Sequence, residues 1–168
     1  MLRLARAEQW AAGNLSRDLA PVDVAMTCQV AIERVLPVAH QRNVTIDFTA
    51  HDAMRLPADP DDLELVWSNL LENAIRFSPS GGTVQMRLHA NNGNGYVEVA
   101  DKGPGIPLSE LPRIFERFHR GDSSRARNTG GYGLGLAISK ALIEAYGGNI
   151  EPYSRPGEGT RMVVCLPV

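Results

Sequence analysis

Long apolar runs are missing from this 168-residue sequence. None approaches the roughly 18 residues that cross a bilayer, and no stretch has the pattern of a signal peptide. An excess of one charge is missing too. Lys and Arg number 17 and Asp and Glu 19, a net charge of −2, which supports neither nucleic acid nor an anionic membrane as the main partner. Cysteine is scarce: Cys28 and Cys165 stand far apart in apolar contexts. That argues against a disulfide framework and fits a reduced, cytosolic setting. Internal repeats and low-complexity tracts are also lacking. The remainder, 43% hydrophobic and 21% charged, is ordinary for a globular domain, and the length suffices for one full core.

Glycine, by contrast, is concentrated. Asn128 to Leu136 reads N-T-G-G-Y-G-L-G-L, with Gly130, Gly131, Gly133 and Gly135 within six residues. A helical pattern follows through Leu136, Ile138, Ala141, Leu142 and Ala145, and stops at Gly147-Gly148. A glycine-rich turn feeding a helix N-terminus lets bare N–H groups close around an anion, and the helix dipole favours negative charge there. A plain connector would also collect glycines. The Walker pattern is absent, since no Gly-Lys-Ser/Thr occurs, and a dinucleotide fingerprint would have to follow a strand directly.

Hydrophobic periodicity lays out the rest. Asp23 can cap a helix running to about His40, with Pro37 making its last turn doubtful. Leu15 to Val22 reads as a connector, Val44 to Phe48 as a strand, and Met54 to Leu56 as a short strand. Leu63, Val66, Trp67, Leu70, Leu71 and Ala74 define the strongest helix, capped by Asp59 or Asp61 and ended by Ser78 to Gly82. Thr83 to Ala90 and Gly95 to Ala100 form a hairpin, and Asn149 to Tyr153 and Gly159 to Leu166 are the last strands. Helices with a mixed sheet imply a two-layer α/β sandwich.

Three clusters carry chemistry. Asn69 and Asn73, four apart, share a helix face with Glu72 and Arg76, opposite the apolar stripe. An amide oxygen is a hard, neutral ligand suited to completing a Mg²⁺ shell supplied mostly by phosphates, and Arg76 can meet a phosphate. A solvated face with a Glu72–Arg76 pair is the plainer alternative, yet it explains two helix-interior asparagines poorly. Asp101 opens D-K-G-P-G, where a carboxylate can accept from an exocyclic amine and Gly103 and Gly105 admit a flat ring. An ordinary Asp-x-Gly turn is the alternative. Phe115 and Phe118 lie among basic residues and are read as anchors to the core. Gly121 to Thr129, polar and rich in Ser and Arg, has the composition of a mobile lid.

The order of these clusters resembles a known family. N-L-L-E-N-A-I-R-F-S-P, D-K-G-P-G-I, I-F-E-R-F-H-R-G-D-S-S-R and G-G-Y-G-L-G-L-A-I are similar to the asparagine, first glycine, phenylalanine and second glycine boxes of bacterial sensor histidine kinases. The closing G-E-G-T-R-M-V-V-C-L-P resembles that family's last strands. The likeness runs from about Pro21 to Pro167 and implies the Bergerat ATP-binding fold: about five mixed strands on three helices, with an ATP lid. By resemblance Asn73 is the Mg²⁺ ligand, Asn69 its neighbour at the phosphates, and Arg76 a phosphate contact. Phe77 packs by the base, and Asp101 binds the adenine amine with Gly103, Gly105 and Ile106 beside the ring. Gly131, Gly133, Leu134, Gly135 and Leu136 hold the triphosphate, Arg120 and Arg125 reach it from the lid, and Thr160 lies near the adenine.

The resemblance also separates branches. Hydrolysing relatives carry Glu where Asn69 stands, and an amide is no general base. The implied activity is therefore transfer of the ATP γ-phosphoryl to a histidine, followed by relay to a response regulator. None of His40, His51, His89 and His119 sits in the family's phosphoacceptor context. Residues 1–14 resemble the end of a dimerisation hairpin and 15–168 the catalytic domain. The expectation is a monomeric fragment of a dimeric, inner-membrane kinase, with its own domain cytoplasmic and no autophosphorylation alone. A nucleotide-sensing module without phosphotransfer and a gyrase-type ATP hydrolase are the alternatives.

Overall fold

The computed structural model describes residues 19–118 and 133–168. Residues 1–14, likened to the end of a dimerisation hairpin, and the lid at Gly121 to Thr129 lie outside the described residues.

Helix α1 spans Val24–Gln41. Asp23 caps it, its Oδ1 accepting from the Ala25 N–H at 3.0 Å. The helix runs through Pro37 to Gln41, further than a proline in the last turn suggests. Pro37 faces solvent, so the carbonyl that loses its partner lies on the watered side. Strand β1, Pro21–Asp23, precedes α1. It pairs antiparallel with β3, Arg55–Pro57, so the end of the supposed connector is ordered by a strand remote in sequence.

Helix α2, Pro60–Phe77, begins where the Asp59 side chain accepts from the Asp61 N–H at 3.1 Å. Asp61 and Asp62 in its first turn suit the dipole. Its apolar stripe is fully used: Leu63, Val66, Trp67, Leu70 and Leu71 are buried. The Trp67 indole N–H, which needs a partner once buried, donates to Thr27 Oγ1 of α1 at 2.9 Å. Helix α3, Gly135–Ala145, packs on α2. Its far end is tied by the Tyr146 hydroxyl, which donates to Asp62 Oδ2 at 2.8 Å and accepts from the Asp59 N–H at 3.1 Å. The Cys28 thiol is pushed far up, mainly by burial, and belongs to the core.

The main sheet contains β2 (Thr45–Ala50), β4 (Thr83–Asn91), β5 (Asn94–Asp101), β6 (Asn149–Ser154) and β7 (Thr160–Pro167). Their spatial order is β2-β4-β5-β7-β6. β2 and β4 are parallel and every other pair is antiparallel. The mixed five-stranded sheet on three helices is the two-layer architecture expected. Asn92 and Gly93 turn the β4–β5 hairpin with φ of 51° and 76°, the conformation a two-residue hairpin turn requires. Val84, Met86, Leu88, Val97, Val99 and Val164 face the helices and are buried, while alternate residues such as Gln85, Arg87, Glu98 and Arg161 point the other way.

The turn between β6 and β7 is held by Gly159, at φ +85°. A Cβ there would collide with the Asp101 carbonyl oxygen, whereas one at Gly93 would meet open space. Gly93→Ala should therefore cost about 1–2 kcal/mol of backbone strain, and Gly159→Ala clearly more. Urea unfolding of both variants measures the difference; equal losses would contradict the close approach of this turn to β5.

Candidate functional site

A cleft of about 390 Å³ opens between α2, the segment following β5, and the start of α3. Its apolar floor includes Leu70, Ala74, Val99, Ile138 and Met162. Along one side α2 contributes Asn69, Glu72, Asn73, Arg76 and Phe77. Asp101, Gly105, Ile106 and Thr160 close one end, and Gly133, Leu134, Gly135 and Leu136 lie at the other wall. One cavity thus gathers the expected residues from four separated stretches. Gly103 stands beside it, bound to Asp101. Arg120, Arg125 and Gly131 lie outside the described residues.

Each wall has a local cause. Asn69 and Asn73 are one helical turn apart, so both reach the cleft edge of α2. Asn69 turns toward α3. Asn69 Nδ2 donates to Gly135 O at 3.1 Å and contacts Ser139 Oγ at 3.2 Å. The carbonyl can only accept, so the NH₂ must face α3, and this fixes the orientation of the amide. Phe77 is half-exposed at the C-terminal end of α2. The Arg76 carbonyl accepts from Arg42 Nη1 at 3.0 Å, which ties this end of α2 to the end of α1.

The start of α3 leaves backbone N–H groups open. Its N-cap residue is Leu134, which supplies no side-chain cap, and the first N–H groups of a helix have no partner within it. Gly133, at φ +67°, turns the chain into this helix, and its carbonyl accepts from the Phe118 N–H at 3.0 Å. Phe118 itself has φ +61° and is 67% exposed. It is not a core anchor: the left-handed backbone that makes this bond turns its side chain out. Phe115 does pack on the core, with Lys140 Nζ 5.3 Å from its ring centre.

At the other end, Asp101 Oδ1 accepts from the Gly103 N–H at 2.8 Å. Burial pushes the Asp101 carboxyl above its usual value, and the backbone N–H groups of Gly103 and Thr160 oppose that rise. A Cβ on Gly103 would strike the Phe77 carbonyl, and one on Gly105 the Arg155 carbonyl, so both glycines are needed for the approach of backbone to backbone. Among the described residues no group of three His, Cys, Asp or Glu side chains could hold a metal. A divalent ion here would rely on amide oxygens and on the ligand's own phosphates, which is the donor set Mg²⁺ tolerates.

Residues 58–168 match the family described as histidine kinase-, DNA gyrase B-, and HSP90-like ATPase. The mycobacterial sensor histidine kinase MprB superposes with a TM-score of 0.79 at 32% identity, over 88% of this chain and 97% of that one. The chain belongs to the sensor histidine kinase family. It is an ATP-binding catalytic domain of that family. Sensor histidine kinase YkoH of Bacillus subtilis (strain 168) is 33% identical over 164 residues, 98% of this chain and 34% of that protein. Full-length ShkA in complex with AMPPNP superposes with a TM-score of 0.80 at 30% identity, over 99% of this chain and 34% of that one. The chain spans about a third of the length of the curated relatives it matches. No helix among the described residues is long and apolar enough to cross a membrane.

Sequence reasoning missed the apolar floor, because Val99 and Met162 read simply as strand core. It also missed Ser139 and Ser154, whose contacts bridge residues far apart in the chain. The Asp101 titration gives a test of burial at the site. A folded-state pKa above the usual 3.8 means that the charged form costs stability. The cost is absent well below that value and grows as pH rises through the raised one. The melting temperature of Asp101→Asn, taken relative to the parent, should therefore rise between pH 3 and pH 7. An offset that does not change with pH would contradict a buried carboxylate.

Proposed function

We propose that the cleft binds Mg-ATP and presents its γ-phosphoryl to a histidine on a dimerisation domain outside this chain, from which a response regulator is charged. The adenine lies at the Asp101 end, with its amine on the carboxylate and its ring over Val99 and Met162, beside Phe77 and Ile106. The triphosphate runs to the uncapped start of α3, along Gly133, Leu134, Gly135 and Leu136, and Arg76 neutralises phosphate charge. Asn73 holds Mg²⁺ through its amide oxygen and Asn69 lies beside it. The metal supplies charge neutralisation across the phosphates when bound. The histidine nitrogen attacks the γ-phosphorus in line, the bond to the bridging oxygen breaks, and ADP leaves.

The observation that carries this reading is Asn69. A glutamate there would supply a base for water; an amide with its NH₂ committed to α3 cannot. The site then works by positioning and charge, which suits transfer to another nucleophile rather than hydrolysis. The nucleotide analogue in the ShkA complex supports the assignment of ATP. The lack of a phosphoacceptor context at any histidine supports a histidine supplied from elsewhere, on a dimerisation hairpin whose end residues 1–14 resemble, in a longer, membrane-anchored homodimeric kinase. Arg120, Arg125 and Gly131 complete the phosphate contacts, Gly103 and Gly105 the base contacts.

Calorimetric titration with ATP and ADP, each with and without Mg²⁺ and with GTP as control, tests the proposal. Binding of adenine nucleotides that excludes GTP is expected. Asn73→Ala should weaken Mg-ATP by at least about tenfold, about 1.4 kcal/mol, while leaving metal-free ADP nearly unchanged. Equal loss for both would remove Asn73 from the metal. Phosphate appearing on a supplied histidine hairpin is the second expected result. Steady release of inorganic phosphate by the lone chain would favour a hydrolase instead.

A further inference from the structure

Asp101, Thr160 and Ser154 stand opposite one another on β5, β7 and β6. They share the parity of Val97 and Val99, Met162 and Val164, and Ile150, so all three lie on the helix-facing side of the sheet. They form one polar row where the apolar floor of the cleft ends. Asp101 and Thr160 line the cleft itself, and Ser154 stands behind Thr160.

The Ser154 hydroxyl makes three contacts. It donates to Gly159 O at 2.8 Å, accepts from the Ile106 N–H at 2.8 Å, and lies 3.0 Å from Thr160 Oγ1. A hydroxyl has one hydrogen and two lone pairs. The Gly159 carbonyl can only accept, so it takes the hydrogen. The Ile106 N–H fills one lone pair. Contact with Thr160 then requires Thr160 to donate into the other. The Thr160 hydrogen is thereby spent on Ser154, and its oxygen can turn only lone pairs to the cleft. Asp101, when ionised, is likewise acceptor-only.

We infer that Ser154 is a positioning residue that makes Thr160 a fixed acceptor beside the C6 substituent of the base and pins the Ile106 segment to the β6–β7 turn, so that this end of the cleft selects a purine with an amine at C6 over a 6-oxo purine. The inference rests on the adenine reading above. Without Ser154, Thr160 regains a free hydrogen, can rotate to donate to a carbonyl oxygen, and no longer discriminates.

The probes are ATP and inosine triphosphate, which differ in the C6 amine against a C6 oxygen with N1 protonated. Their binding constants are measured by calorimetry for the parent chain, Ser154→Ala, Thr160→Val and the double variant. The ratio of ATP to inosine triphosphate affinity should fall about three- to tenfold in Ser154→Ala, the net worth of one hydrogen bond. Thr160→Val, similar in shape but without the hydroxyl, should lower it equally, and the double variant should fall no further, because both changes remove one interaction. An unchanged ratio in folded Ser154→Ala, or losses that add in the double variant, overturns the inference. If Ser154→Ala does not fold, an unchanged ratio in Thr160→Val overturns it alone. A parent chain that binds neither nucleotide overturns the nucleotide reading itself, a failure distinct from these.

Discussion

The register of β5 against β7, and of β7 against β6, is the constraint on which the rest depends. Side chains alternate faces along a strand, so a slip of one residue in any of these strands would exchange its inner and outer sets. In the observed register Val99 and Met162 complete an apolar floor, and Asp101, Thr160 and Ser154 end it in one polar line. The cleft therefore has an apolar surface for a flat ring and a row of acceptors at its edge from a single geometric fact. Gly159 preserves that register, because only a residue without a Cβ lets the turn lie against the Asp101 carbonyl.

The second dependence is between α2 and α3. α2 is a core helix and a site helix at once: Leu63, Val66, Trp67 and Leu71 are buried on one side, and Asn69 and Asn73 stand on the cleft edge. α3 gains its position from Asn69, which bonds Gly135 O near its start, and from Tyr146, which bonds Asp62 just past its end. The uncapped start of α3 is thus held at a fixed distance from the asparagines. A nucleotide lying between them would touch two rigid elements rather than two loops, which is what pre-organises a site that works by positioning.

Much of this was legible in the sequence, and the legible part was local. Helix faces, caps at Asp23 and Asp59, the Asn92-Gly93 turn and the glycine run are encoded by neighbours within a few residues, and their order along the chain carried the family resemblance. Contacts between distant residues were not legible. Nothing in the spacing brings Ser139 to Asn69, or shows that Pro21–Asp23 pairs with Arg55–Pro57. Pro37 does not end α1, because it lies on the solvent side of a helix held by a buried opposite face. Phe118 is exposed although an aromatic three residues from a packed one suggests core; its left-handed backbone, bonded to Gly133, turns it out.

A crystal structure of this chain with Mg²⁺ and a non-hydrolysable ATP analogue would show where the nucleotide lies. The base is expected over Val99 and Met162, its C6 amine hydrogen-bonded to Asp101, and the phosphates at the start of α3. A base bound away from the Asp101–Thr160 row, or phosphates away from the start of α3, would contradict this arrangement.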